Sequence, residues 1–131
     1  MTPFGEKIRE YRKKKKISLK SMAADLGVSS AYFSALEHGW RGKPGSGLVQ
    51  QLCGYFGLIW DEAESLKRLA ELSHPKKTIN TAGLSSKATL LANLLSEKID
   101  TLDEETIDWM IAEIQSTHAL INASYLDKFH A

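Results

Sequence analysis

The stretch SLKSMAADLGVSSAYFSALEHG, residues 18–39, decides the fold. Ser18 is a hydroxyl residue placed to cap a helix start, and Leu19, Met22, Ala23 and Leu26 follow at helical spacing. Gly27 stands where a helix C-terminus takes a positive φ. Val28 fills the corner, and Ser29 caps a second helix with Phe33 and Leu36 three apart on its buried side. Ala23 is small enough to let the two helices cross closely, Val28 and Leu36 plug the core they share, and Gly39 closes the second helix. The segment therefore predicts two short helices joined by a tight turn, the second held at a fixed angle to the first.

Working outward, Thr2 and Pro3 open a helix whose Phe4, Ile8 and Tyr11 form one apolar face opposite a basic one. Lys13 to Lys16 end it or form the bend beyond. After Gly39, three glycines and Pro44 within Trp40 to Gly47 predict a loop. A fourth helix is expected over 48–56, burying Leu48, Leu52 and Phe56 or close neighbours, with Cys53 in the core and Gly57 as its stop. A fifth is expected over 60–72, opening on Asp61 and Glu62, acids suited to the positive end of a helix dipole. Five helices over residues 1–73 make one head.

Pro75 breaks the chain into a linker over 74–84, in which 78–81 suit a short extended piece. Ser85 then caps a helix carrying Leu90, Leu91, Leu94, Leu95 and Ile99. Thr101 and Glu104 fit a capping box opening the longest helix, over 102–126, on which Ile107, Met110, Ile111, Ile114, His118, Ile121 and Tyr125 repeat at helical spacing. The fold class is all-α: a five-helix head followed by a two-helix extension over 85–131. An apolar stripe that long must be buried, either against Leu91, Leu94 and Leu95 of the preceding helix or in a subunit interface, for which Ile107, Met110, Ile111, Ile114, Ile121 and Tyr125 are the candidates.

Charge divides the chain more sharply than its net value of +1 suggests. Residues 1–45 hold ten basic and four acidic residues, whereas 46–131 hold seven basic and twelve acidic ones. A basic head on an acidic body suits a polyanion partner. No apolar run approaches the roughly 18 residues of a membrane span, and no secretory signal is read at the N-terminus. The single cysteine, Cys53, excludes an internal disulfide and, with the missing signal, points to the cytoplasm. His38, His74, His118 and His130 show no metal-ligand spacing with one another or with Cys53. No phosphate-cradling glycine loop or nucleophile–base set is present, so neither an enzyme nor a cofactor is expected. Trp40, Trp60 and Trp109 are expected to pack at element ends.

Residues 3–72 resemble the Cro/cI (Xre-type) helix-turn-helix family. The likeness is carried by Ala23, Leu26-Gly27-Val28-Ser29, Ser34 and Leu36-Glu37-x-Gly39, with Ile8-Arg9-x-Tyr11-Arg12 upstream and Pro44 downstream. It implies a lambda-repressor-like head that binds double-stranded DNA in the cytoplasm, a sequence-specific regulator acting as a homodimeric repressor. The recognition helix would be 29–38. Ser30, Ala31 and Tyr32, with Ser34 and Ala35 one turn on, would face base edges. Ser18, Lys20, Ser29, His38, Arg41 and Lys43 would contact phosphates. Arg12 and Glu37 would form a buried structural ion pair. Positions 30, 31, 34 and 35 carry no Arg, Gln or Asn for bidentate base readout, which shifts affinity toward phosphate contacts, Ala31 and Tyr32, and DNA shape. Leu19 stands where the family often has a phosphate-reaching glutamine, and Lys16 where a glycine is frequent. No small-molecule effector is implied. An alternative is an antitoxin-like module whose C-terminal helices clamp a partner protein while the head binds its own promoter.

Overall fold

Seven α-helices and one 3-10 turn make up the regular structure of residues 1–116, which are the residues the computed structural model describes. They are α1 (Pro3–Lys15), α2 (Leu19–Leu26), α3 (Ser30–Glu37), α4 (Ser46–Tyr55), α5 (Asp61–Glu71), α6 (Ser86–Lys98), the turn Ile99–Thr101, and α7 (Glu104–Gln115). The chain falls into two units, Met1–Thr78 and Ile79–Ala131.

Hydroxyl caps start the first three helices. Thr2, Ser18 and Ser29 each accept from a backbone amide three residues on, at 3.0 Å in all three cases. Gly27 ends α2 with φ 74°, and open space surrounds the position, so only backbone conformation demands glycine there. Lys16 ends α1 in the same left-handed region, at φ 54° and ψ 44°.

The core of the first unit joins Phe4 and Ile8 of α1, Met22 of α2, Phe33 and Leu36 of α3, Val49 and Leu52 of α4, Leu66 of α5, and Phe56 and Leu58 from the segment between α4 and α5. Two buried hydroxyls pin α1 in place. Thr2 donates to the Glu37 carbonyl from its amide (2.9 Å) and its hydroxyl (3.2 Å), tying α1 to the end of α3. Ser73 accepts from the Phe4 amide (2.9 Å) and donates to the Leu69 carbonyl (2.6 Å), tying α1 to the end of α5. Gly5 permits the approach: a Cβ there would strike the Glu37 carbonyl and the Met1 sulfur.

Several expectations shift. Helix α4 starts two residues early, because Gly45 takes the extended cap conformation without a capping side chain. Its buried face is Val49, Leu52 and Cys53, with Phe56 just beyond, and Leu48 is only half-buried. The tryptophans do not pack at element ends: Trp40, Trp60 and Trp109 are 74%, 82% and 65% exposed. Trp60 precedes α5 at a positive φ of 51°, uncommon outside glycine.

In the second unit, Ser85 caps α6, accepting from the Ala88 amide at 3.2 Å. Asp103, not Thr101, caps α7 and accepts from the Thr106 amide at 2.8 Å. The Thr101 hydroxyl instead donates to the Lys98 carbonyl within the 3-10 turn, at 2.7 Å. Helix α7 does not run unbroken to 126. It ends at Gln115, where Ser116 turns extended (ψ 174°) and its hydroxyl donates to the Glu113 carbonyl, the local competition that makes serine a poor helix interior residue. His118, Ile121 and Tyr125 lie outside the described residues. Residues 78–81 form no strand, and among the described residues no helix is long and apolar enough to cross a membrane. None of residues 79–116 is fully buried, and Leu90, Leu91, Leu94, Ile99, Ile111 and Ile114 are exposed.

Candidate nucleic-acid interface

Helix α3 buries one side and shows the other. Phe33, Leu36 and Glu37 are inside, while Ser30, Ala31 and Tyr32 stand exposed on its first turn and Ser34 and Ala35 are half-buried one turn on. Helical periodicity sets 33, 36 and 37 on one face with 31 opposite, and 30, on the side of 33 and 37, is exposed because it begins the helix. The first-turn amides of a helix lack intrahelical acceptors, so this turn presents donors as well as side chains.

Aromatic and cationic groups flank the exposed turn. The Arg41 guanidinium lies over the Tyr32 ring, 5.5 Å from its centroid, which brings together one residue expected at bases and one expected at phosphates. His38 Nδ1 lies 2.8 Å from the Ser34 carbonyl. A carbonyl only accepts, so that nitrogen carries the proton and donates to it. The same ring stacks on Trp40, with centroids 4.9 Å apart and planes at 20°. Trp40 is a large exposed aromatic beside α3 that sequence reasoning assigned to packing.

The other residues expected at phosphates differ in how free they are. Ser18, Lys20 and Ser29 are exposed, and Lys20 has no ionic partner among the described residues. Lys43 is held by Glu71 at 3.1 Å, in an exposed pair that costs little to open. Beneath the surface, Arg12 Nη2 meets Glu37 Oε2 at 3.3 Å, with the two side chains 12% and 1% exposed. Arg12 Nε is buried without an acceptor. The ion pair thus fastens α1 to the C-terminal end of α3, away from the exposed turn.

The sequence leaves Lys13 to Lys16 open between a phosphate-binding cluster and a solvated run, and Arg9 stands outside the expected phosphate contacts. Arg9, Arg12, Lys13 and Lys16 fall at i, i+3, i+4 and i+7, the spacing of one helix face, and that spacing was the available signal. Elsewhere in the head, Tyr55 donates to Asp25 at 2.7 Å and joins α4 to α2, and this hydrogen bond raises the phenol's pKa above its ordinary value.

A capped supporting helix, a left-handed glycine elbow and a second helix with its first turn exposed define a helix-turn-helix head. A family profile described as a helix-turn-helix domain matches residues 5–62. The chain is 30% identical over 115 residues to the HTH-type transcriptional repressor RghR of Bacillus subtilis (strain 168), an alignment spanning 82% of this chain and 84% of that protein. It is 38% identical over 52 residues to RghRB of the same organism, described as an uncharacterized HTH-type transcriptional regulator, across 40% of this chain and 37% of that protein. No solved structure matches significantly. The chain belongs to the Xre-type helix-turn-helix transcriptional regulators, and it is a DNA-binding regulator.

Proposed function

We propose that the protein is a homodimeric, sequence-specific repressor that acts in the cytoplasm by occluding DNA. The exposed first turn of α3 carries this proposal. Set into a major groove, that turn faces Ser30, Ala31 and Tyr32 toward base edges, with Ser34 and Ala35 following. Ser18, Lys20, Ser29, His38, Arg41 and Lys43 contact the backbone around it. With no Arg, Asn or Gln on the reading face, discrimination rests on contacts of Ala31 and Tyr32 with thymine methyls and on groove shape. Repression, rather than activation, draws support from the name RghR carries.

The dimer draws support from the second unit, none of whose described apolar side chains is fully buried. Met110 and Ile107 are half-buried and Ile111 and Ile114 exposed, and a second copy would cover them. Ile121 and Tyr125, also assigned to the interface, lie outside the described residues.

Selection of bound duplexes from a random-sequence pool tests the function. The expected result is one enriched motif made of two half-sites about one helical turn apart. Uniform recovery of all sequences would refute specific reading, and a concentration-independent monomer in sedimentation would refute the dimer.

A further inference from the structure

The junction of α1 and α2 holds a cleft of about 640 Å³ lined by Arg9, Arg12, Lys13, Lys16, Ser18 and their neighbours Ile17 and Leu19, with no carboxylate among them. Glu37 engages Arg12, but Arg9, Lys13 and Lys16 have no ionic partner among the described residues. A second cleft, of about 700 Å³ between α4 and α5, shows the contrast. There Lys43 and Lys67 are neutralised by Glu71 and Glu64, at 3.1 and 3.3 Å. Cations crowded without a counterion repel one another, and a compact anion among them relieves that repulsion.

Lys16 adds an independent observation. At φ 54° its Cβ crowds the backbone, a conformation glycine adopts without penalty. The cap itself needs only a backbone amide, which closes on the Arg12 and Lys13 carbonyls and which any residue but proline supplies. A lysine there strains the fold, and what it brings beyond a glycine is one more charge at the cleft.

We propose, on the reading of the head as a duplex-DNA binder, that Arg9, Lys13 and Lys16 form a seat for one backbone phosphodiester, and that the lysine holds its strained position for its ammonium group. The seat lies beside Ser18 and supplements the phosphate contacts that flank α3.

Binding of the full chain to its selected duplex and to an unrelated duplex, followed across salt concentrations, tests this with Lys16→Gly, Lys16→Asn and Lys16→Arg. Lys16→Gly should melt at the same temperature as the wild type or higher. It should weaken both duplexes roughly eightfold at about 0.1 M salt and flatten the salt slope by about 0.9, the loss of one counterion-releasing contact. Lys16→Asn, which tolerates the left-handed cap but lacks the charge, should match it, and Lys16→Arg should bind as the wild type does. Unchanged affinity and slope in Lys16→Gly, with the wild type still binding, would overturn the seat and leave the DNA reading standing. A wild type that binds neither duplex would overturn both. Inorganic phosphate titrated at constant ionic strength should not displace the duplex. Displacement that Lys16→Gly abolishes would assign the seat to free phosphate instead.

Discussion

Glu37→Ala removes a carboxylate that is 1% exposed and leaves Arg12, 12% exposed, facing the space it occupied 3.3 Å away. Stranding one partner of a buried ion pair costs about 3–5 kcal/mol. The residual exposure of Arg12 gives its guanidinium a short route to water, which places the cost near the lower end, at about 3 kcal/mol. The Glu37 carbonyl keeps its two hydrogen bonds from Thr2, because those belong to the backbone. A unit of 78 residues has roughly 4–12 kcal/mol of stability to lose, so the variant forfeits between a quarter and most of it. At about 4–8 °C per kcal/mol, the melting temperature should fall by about 12–24 °C. Circular-dichroism melts at matched protein concentration read this directly. A double variant, Arg12→Met with Glu37→Met, should recover part of the loss, since no unpaired charge stays buried. The preferred DNA sequence should not change at temperatures where the variant is folded, because Glu37 is buried beyond the last turn of the reading face. A fall of less than about 4 °C, the effect of about 1 kcal/mol, would refute the buried-pair account.

Gly5→Ala should cost about 1–3 kcal/mol as its new methyl pushes α1 off the Glu37 carbonyl, and an unchanged melt would contradict the close approach. Cys53 is buried, and burial pushes its thiol pKa up, so a thiol reagent near pH 8 should label it only on unfolding; labelling of the native protein at the rate of a free thiol would count against this. Asp103 has its pKa lowered by its hydrogen bonds to Thr106. Its capping of α7 is therefore complete above the ordinary aspartate range and lost only as pH falls through the lower folded value. The Thr106 amide should titrate with a midpoint below the ordinary aspartate value, Asp103→Asn should abolish that titration, and a midpoint at or above the ordinary value would refute the cap.

Residues 18–39 were legible because their determinants are local. Hydroxyls at 18 and 29 cap amides three residues on, the glycine at 27 takes the positive φ of the elbow, and periodicity turns Phe33 and Leu36 inward and Ala31 outward. Where the cap has no side chain, as at Gly45, the sequence carries no mark of the start, and α4 begins two residues before the expected position, with Leu52 and Phe56 buried as expected and Val49 in place of Leu48. Where two caps compete, as Thr101 and Asp103 do, the outcome depends on the 3-10 turn that diverts the threonine hydroxyl to Lys98. The exposed tryptophans were misassigned because burial of an apolar ring follows from what surrounds it in space. The basic cleft was written at helical spacing but hidden within a lysine run that also suits a solvated surface.

Amide chemical shifts followed during titration with the selected duplex test most directly whether α3 reads DNA. The largest changes should fall on Ser30, Ala31 and Tyr32, with Arg41 close behind and the buried Phe33 and Leu36 little affected. Binding that leaves the first turn of α3 unperturbed, with the changes confined to another face of the head, would contradict the account.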